Sequence, residues 1–172
     1  MIARPDLPLL VVEDSDADYD ALRWALRKVG LDRPVRRCAT GADLLDYLRH
    51  TGPYQEHPAD APAPALILLD LNLDADDGRD VLAEIKTDAA LRRIPVVVWT
   101  TSAHPEDVAH CYANGASGYA TKPVDVDRLV ASLRDVTQYW FGCVILPDVA
   151  EGSRPSYPAP SPAPSAGAHA DG

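Results

Sequence analysis

The chain has 172 residues, 47% hydrophobic and 24% charged, which suits one globular domain with a sizeable core plus some appended length. A second catalytic or DNA-binding domain hardly fits. A formal net charge of −10 leaves no basic surplus to displace counterions from nucleic-acid phosphates, so a nucleic-acid partner is not expected.

Cys38, Cys111 and Cys143 have no metal-ligand or redox spacing and read as reduced thiols. Residues 1–8 lack the basic region and apolar core of a signal peptide, and no apolar run is long enough to span a bilayer. The expectation is a soluble cytoplasmic protein without a membrane partner.

Leu9 to Val12 is an apolar run ending in Glu13-Asp14, which reads as a strand delivering acids at its carboxyl end. Ser15 with Asp18 three residues on resembles a capping box, and Leu22, Ala25, Leu26 and Val29 recur at helical spacing until Gly30, with Trp24 at the helix edge. Val35 to Ala39 is a short strand, and Gly41 to Arg49 a short helix with Leu44, Leu45 and Leu48 on one face. The Pro-, His- and Ala-rich stretch 50–64 cannot hold a helix or a central strand and reads as a long surface loop, either a partner contact or excess length.

Ala65-Leu66-Ile67-Leu68-Leu69 then runs straight into Asp70 with neither helical nor alternating period, as a strand buried on both faces does. The acidic turn Asp74 to Gly78 leads into a helix ending near Thr87, with Val81, Leu82 and Ile85 inward. Pro95 opens the β-branched run Val96-Val97-Val98-Trp99, which ends in Thr100-Thr101-Ser102. His104-Pro105 opens a helix whose inner face is Val108, Cys111 and Tyr112. Gly118 to Thr121 is the last core strand, Lys122-Pro123 follows it, and a helix from about Asp125 to Trp140 turns Val126, Leu129, Val130, Leu133 and Val136 inward.

Five βα units in succession call for a doubly wound parallel sheet with helices on both faces and right-handed crossovers. In that architecture the strands' carboxyl ends share one rim, so Glu13, Asp14, Asp70, Thr100 and Lys122 converge there. Singly, each has a bland reading: a helix-terminal acid pair, a strand-end turn residue, a cap threonine, a solvated lysine. Together they make one chemistry. Three neighbouring carboxylates repel unless a cation sits among them, and hard oxygens suit Mg²⁺. Lys122 and Thr100 supply a charge and a hydroxyl to phosphoryl oxygens, leaving Asp70 as a nucleophile that forms an acyl phosphate.

These motifs, the acid pair Glu13-Asp14, Asp70 within Leu68-Leu69-Asp70-Leu71-Asn72-Leu73, Thr100, and Lys122-Pro123, closely resemble the receiver domain of two-component response regulators from about Leu9 to Val136. The resemblance implies the flavodoxin-like receiver fold, strand order 2-1-3-4-5, and phosphoryl transfer from a sensor histidine kinase onto Asp70. It also implies Mg²⁺ held by Asp14, Asp70 and the Asn72 carbonyl with Glu13 acting through water, a switch pair Thr100 and Tyr119, and a cis bond at Lys122-Pro123. The bland reading of Tyr119, set below the switch role, is an edge-strand aromatic that never moves. Two departures stand out: Asp74 where proline is usual, and Trp99 where an aliphatic residue is common beside the threonine.

A narrower resemblance, through Gly52-Pro53-Tyr54, Gly78 to Lys86 and the apolar C-terminal stretch, is to single-domain regulators partnering phytochrome-type histidine kinases. It divides the chain into a receiver domain (1–140), an apolar arm (141–149) and a Pro/Ala/Ser-rich tail (150–172) expected to be disordered. Trp140, Phe141, Val144, Ile145 and Leu146 need burial, and the expectation is an isologous homodimer in which each arm packs on the other subunit, with packing against its own domain the bland reading.

The expected function is a phosphoacceptor switch acting by protein contact, with only self-catalysed phosphotransfer and dephosphorylation. A dehalogenase-type phosphatase would need a second acid two residues after the nucleophile, where Asn72 stands. A scaffold that keeps the fold but is never phosphorylated is the third reading.

Overall fold

Alternate residues of the central strands serve opposite sides of a single sheet, which is why their sequences show no period. Leu9, Val11, Leu66, Leu68, Val97 and Trp99 pack in one core cluster, and Leu10, Val12, Ile67, Leu69, Val96 and Val98 in another. The computed structural model describes residues 6–56 and 61–147; the expected disorder of 150–172 lies outside them, as do 57–60 of the Pro-rich stretch.

The order is β1 (Leu9–Val12), α1 (Asp16–Lys28), β2 (Val35–Cys38), α2 (Gly41–Arg49), β3 (Leu66–Leu69), α3 (Gly78–Thr87), β4 (Val96–Thr100), α4 (Pro105–Ala113), β5 (Gly118–Thr121) and α5 (Val126–Gln138). The five strands form one sheet in the order β2-β1-β3-β4-β5, all pairings parallel, with Leu9 opposite Leu66 and Val98 opposite Tyr119. β1, β3 and β4 are buried at every position. Each fully buried leucine or valine contributes about 1.5–3 kcal/mol, so the strand ends sit on a rigid floor.

Local signals set the element ends. Ser15 caps α1 by accepting the Asp18 N–H at 3.2 Å. The capping box is only half formed, because the Ser15 N–H goes to Glu13 Oε1 while the Asp18 carboxylate lies 3.6 Å from Lys122. Gly30 ends the helix at φ +73°, with its N–H on the Arg27 carbonyl and that of Leu31 on Leu26, the Schellman pattern that favours glycine. Thr40, Asp77 and Asp125 cap α2, α3 and α5. Part of the Pro-rich stretch is fastened to α2: a 3₁₀ turn spans Gly52–Tyr54, Tyr54 donates to Asp43, and Tyr47 donates to the Pro62 carbonyl.

Several expectations are corrected. Tyr112 and Val126, expected inside, are 51% and 54% exposed, because Cys111 fills the buried position of α4 and Leu133 and Thr137 those of α5. Regular α-helix stops at Gln138 and a π-helical turn, Tyr139–Cys143, continues the chain. No peptide bond among the described residues is cis, so Lys122-Pro123 is trans, the geometry X-Pro bonds favour by about 0.5–1 kcal/mol. Trp99, buried in the cluster between the sheet and α1 and α5, turns away from the rim that Thr100 faces.

Candidate functional site

Asp70 follows β3, and its backbone is fixed from two sides: its N–H donates to the Val12 carbonyl, and Gly78 lies against its carbonyl. A Cβ at Gly78 would stand 2.2 Å from that oxygen, so only glycine lets α3 start here. The Asp70 carboxylate accepts the Asn72 N–H on Oδ1 at 3.1 Å and Lys122 Nζ on Oδ2 at 2.5 Å.

Lys122, beyond β5, also donates to Glu13 Oε2 at 2.5 Å. One ammonium therefore serves two carboxylates, and all three groups are nearly closed to solvent. Burial pushes the Glu13 carboxyl above its ordinary value despite the lysine beside it. Burial also disfavours the Lys122 ammonium, but hydrogen bonds and charge from Asp70 and Glu13 outweigh that and raise its pKa.

Thr100, fully buried, ends β4. Its hydroxyl oxygen accepts the Asn72 side-chain amide and the Ser102 N–H, each at 3.4 Å, and its carbonyl accepts the Lys122 N–H at 2.7 Å. Tyr119 on β5 is half-buried and donates to the Ser102 carbonyl at 3.0 Å. Asp14 stands across the cleft mouth: its carboxylate accepts the Asp74 N–H at 2.7 Å, a bond that a proline at 74 could not make.

Asp70, Glu13 and Lys122 thus meet directly, Thr100 joins through Asn72, and Asp14 reaches the loop after β3. No three metal-ligating side chains are gathered into a cage among the described residues. Lys122 stands between Asp70 and Glu13 instead. The donor set nevertheless suits a hard divalent cation, since Glu13 and Asp70 share a single ammonium, Asp14 reaches the loop after β3, and all the donors are oxygens.

Some participants were not legible beforehand. Arg37 on β2 donates to the carbonyls of Glu13 and Asp14, and only its place beside the end of the first strand could have suggested this. Arg79 bridges Asp77 and Asp107, and Asp107 accepts the Ser102 hydroxyl. This network ties α3 to α4, and no spacing in the sequence announces it. Among the described residues no helix is long and apolar enough to cross a membrane.

Comparison with known proteins agrees with this geometry. The model of the response regulator receiver domain matches residues 9–134. Response regulator Rcp1 of Synechocystis sp. is 37% identical over 145 residues, covering 84% of this chain and 96% of Rcp1. The crystal structure of the phosphorylated cyanobacterial phytochrome response regulator RcpA superposes with a TM-score of 0.75 at 38% identity, covering 83% of this chain and 99% of that one. The Mn²⁺-bound form of Rcp1 gives 0.74 at 38% identity, covering 82% and 99%. With its acid pair, aspartate, threonine and lysine on the rim of a 2-1-3-4-5 sheet, the chain belongs to the response regulator receiver domain family.

Proposed function

We propose that this chain is a single-domain response regulator that takes a phosphoryl group onto Asp70 from a sensor histidine kinase of the phytochrome type and signals by protein contact. The observation that carries the reading is the Asp70 carboxylate, held by Lys122 and the Asn72 N–H at the floor of an acidic cleft. The likeness to Rcp1, 37% identical over 145 residues, supports the response-regulator role, and the description of RcpA as a phytochrome response regulator supports the kinase class.

An Asp70 carboxylate oxygen attacks phosphorus, the P–N bond of the phosphohistidine breaks, and the imidazole leaves with the bonding pair. Lys122 neutralises one phosphoryl oxygen and the Thr100 hydroxyl donates to another. Asp14, Asp70 and the Asn72 carbonyl would hold Mg²⁺, with Glu13 acting through water; the ion supplies charge neutralisation at the phosphoryl oxygens. Thr100 and Tyr119 form the switch pair, passing the change in the cleft to the surface of α4, β5 and α5.

Incubation with a small acyl-phosphate donor and Mg²⁺ tests this. The parent gains one phosphoryl mass that is lost at high pH, and Asp70→Asn gains none; a folded parent that stays unlabelled ends the reading.

The arm belongs to the same proposal in a narrower form. Trp140 and Phe141 are half-buried against the cluster under α1 and α5, with the Arg33 guanidinium 3.7 Å from the Phe141 ring centre. Ile145 is 87% exposed, and with Val144 and Leu146 it packs on a second copy. Truncation after Cys143 followed by light scattering halves the mass in this reading, and an unchanged mass refutes it.

A further inference from the structure

Arg37 reaches the acidic corner from the neighbouring strand. It leaves β2, an edge strand, and its fork spans the loop between β1 and α1: Nε donates to the Glu13 carbonyl at 2.8 Å and Nη2 to the Asp14 carbonyl at 2.9 Å. Nη1 reaches Asp16 Oδ1 at 2.6 Å, and the guanidinium lies 4.9 Å from the Tyr19 ring centre. The side chain is 22% exposed, so the fork is largely shielded from water. Above it, the Glu13 N–H donates to the Cys38 carbonyl, so β1 and β2 stay joined to the point where the acids begin.

We infer that Arg37 is a positioning residue for the acidic corner, holding the backbone of Glu13 and Asp14 so that their carboxylates stay where a divalent cation can use them. The inference rests on the phosphoacceptor reading above. Asp14 is fixed at both ends, its carbonyl by Arg37 and its carboxylate by the Asp74 N–H. Two successive carbonyls are gripped by two nitrogens of one planar group, which lysine, with a single ammonium, cannot reproduce.

Charge and geometry act in opposite directions here, and that makes the role testable. As a mere positive charge, Arg37 would repel a cation, so its removal would tighten cation binding. As a clamp, its removal loosens the corner and weakens binding, as loss of an outer partner of a metal ligand does.

The full-length parent, Arg37→Met and Arg37→Lys are titrated with MgCl₂ and with MnCl₂ by calorimetry. Both variants are expected to raise the dissociation constant by about tenfold, although Arg37→Lys keeps the charge. Labelling by the acyl-phosphate donor should recover in both at saturating Mg²⁺. A dissociation constant at or below the parent's in either variant overturns the clamp, and if Arg37→Met does not fold, Arg37→Lys decides alone. A parent that binds neither cation sinks the phosphoacceptor reading itself and the clamp with it, an outcome visible before any variant is compared.

Discussion

Along β3 every residue from Leu66 to Leu69 is buried, whereas along β5 Gly118, Tyr119 and Ala120 are half-buried and Thr121 is exposed. The loops that follow differ in the same sense. The acid half of the site, after β1 and β3, is fixed by the Arg37 fork, by the Asp74 N–H on Asp14 and by Gly78 packed on the Asp70 carbonyl. In the other half, after β4 and β5, the Lys122 N–H on the Thr100 carbonyl and the Ser102 hydroxyl on Asp107 hold the backbone, but the Thr100 hydroxyl has two long 3.4 Å contacts and Tyr119 a bond to a half-buried carbonyl, with Tyr112, Val124 and Val126 exposed. A phosphoacceptor needs the acids held still, since catalysis by charge depends on preorganisation. A signal needs the opposite, an element whose two arrangements differ by little free energy. In the function proposed above, the acids beside the two inner strands β1 and β3 meet the first need and the loops toward the β5 edge meet the second.

Lys122 joins the halves, so its loss is the most damaging way to break the comparison. Lys122→Met leaves Glu13 and Asp70 buried and facing the site without their shared cation. Removing one partner of a buried pair costs about 3–5 kcal/mol. The low end applies here, because Glu13 already sits above its ordinary pKa and can take up a proton. The pH dependence separates the variants further. The folded Lys122 pKa lies above the ordinary 10.5. In the parent its contribution is therefore complete below 10.5 and is lost as pH rises through the folded value, where the unfolded chain has already released its proton. Lys122→Met lacks that alkaline loss and regains stability as acid protonates Glu13, whose burial already raises its pKa. Urea midpoints from mildly acidic to alkaline pH check both slopes, and parallel curves would refute the assignment.

The central fold was readable because burial on both faces leaves a plain mark: three uninterrupted apolar runs, each ended by polar groups. The βα alternation then brought Asp70, Glu13, Lys122 and Thr100 to one rim without any knowledge of contacts. The edge was less readable. Tyr112 and Val126 have helical spacing, but nothing among the described residues covers them, so period alone misplaces them. Trp140 and Phe141 read as part of an arm packing on a second copy, whereas the chain continues through a π-helical turn that keeps these two half-buried against their own domain. The role of Arg37 is hidden in the sequence because it depends on strand register: Arg37 pairs with Val11, which brings its side chain within reach of the loop beyond Val12. Asp74 was noticed as a missing proline, but its function lies in its own N–H, which composition cannot express.

The smallest perturbation sharpens the comparison most. Tyr119→Phe removes one hydroxyl, whose partner, the Ser102 carbonyl, is half-buried and open to replacement by water. The expected stability loss is about 1 kcal/mol or less. Ser102 nevertheless links that carbonyl to the Thr100 hydroxyl through its N–H and to Asp107 through its own hydroxyl. Freed from Tyr119, the loop from Thr101 to His104 should exchange its amide hydrogens faster, while the amides of Glu13 to Ser15 stay as slow as in the parent. Divalent-cation affinity should not change, since no bond to Glu13, Asp14 or Asp70 passes through Tyr119. If Tyr119→Phe weakened cation binding as much as the Arg37 variants, the acids would be coupled to the edge strand at rest. The division between a fixed acid half and a movable signalling half would then be lost.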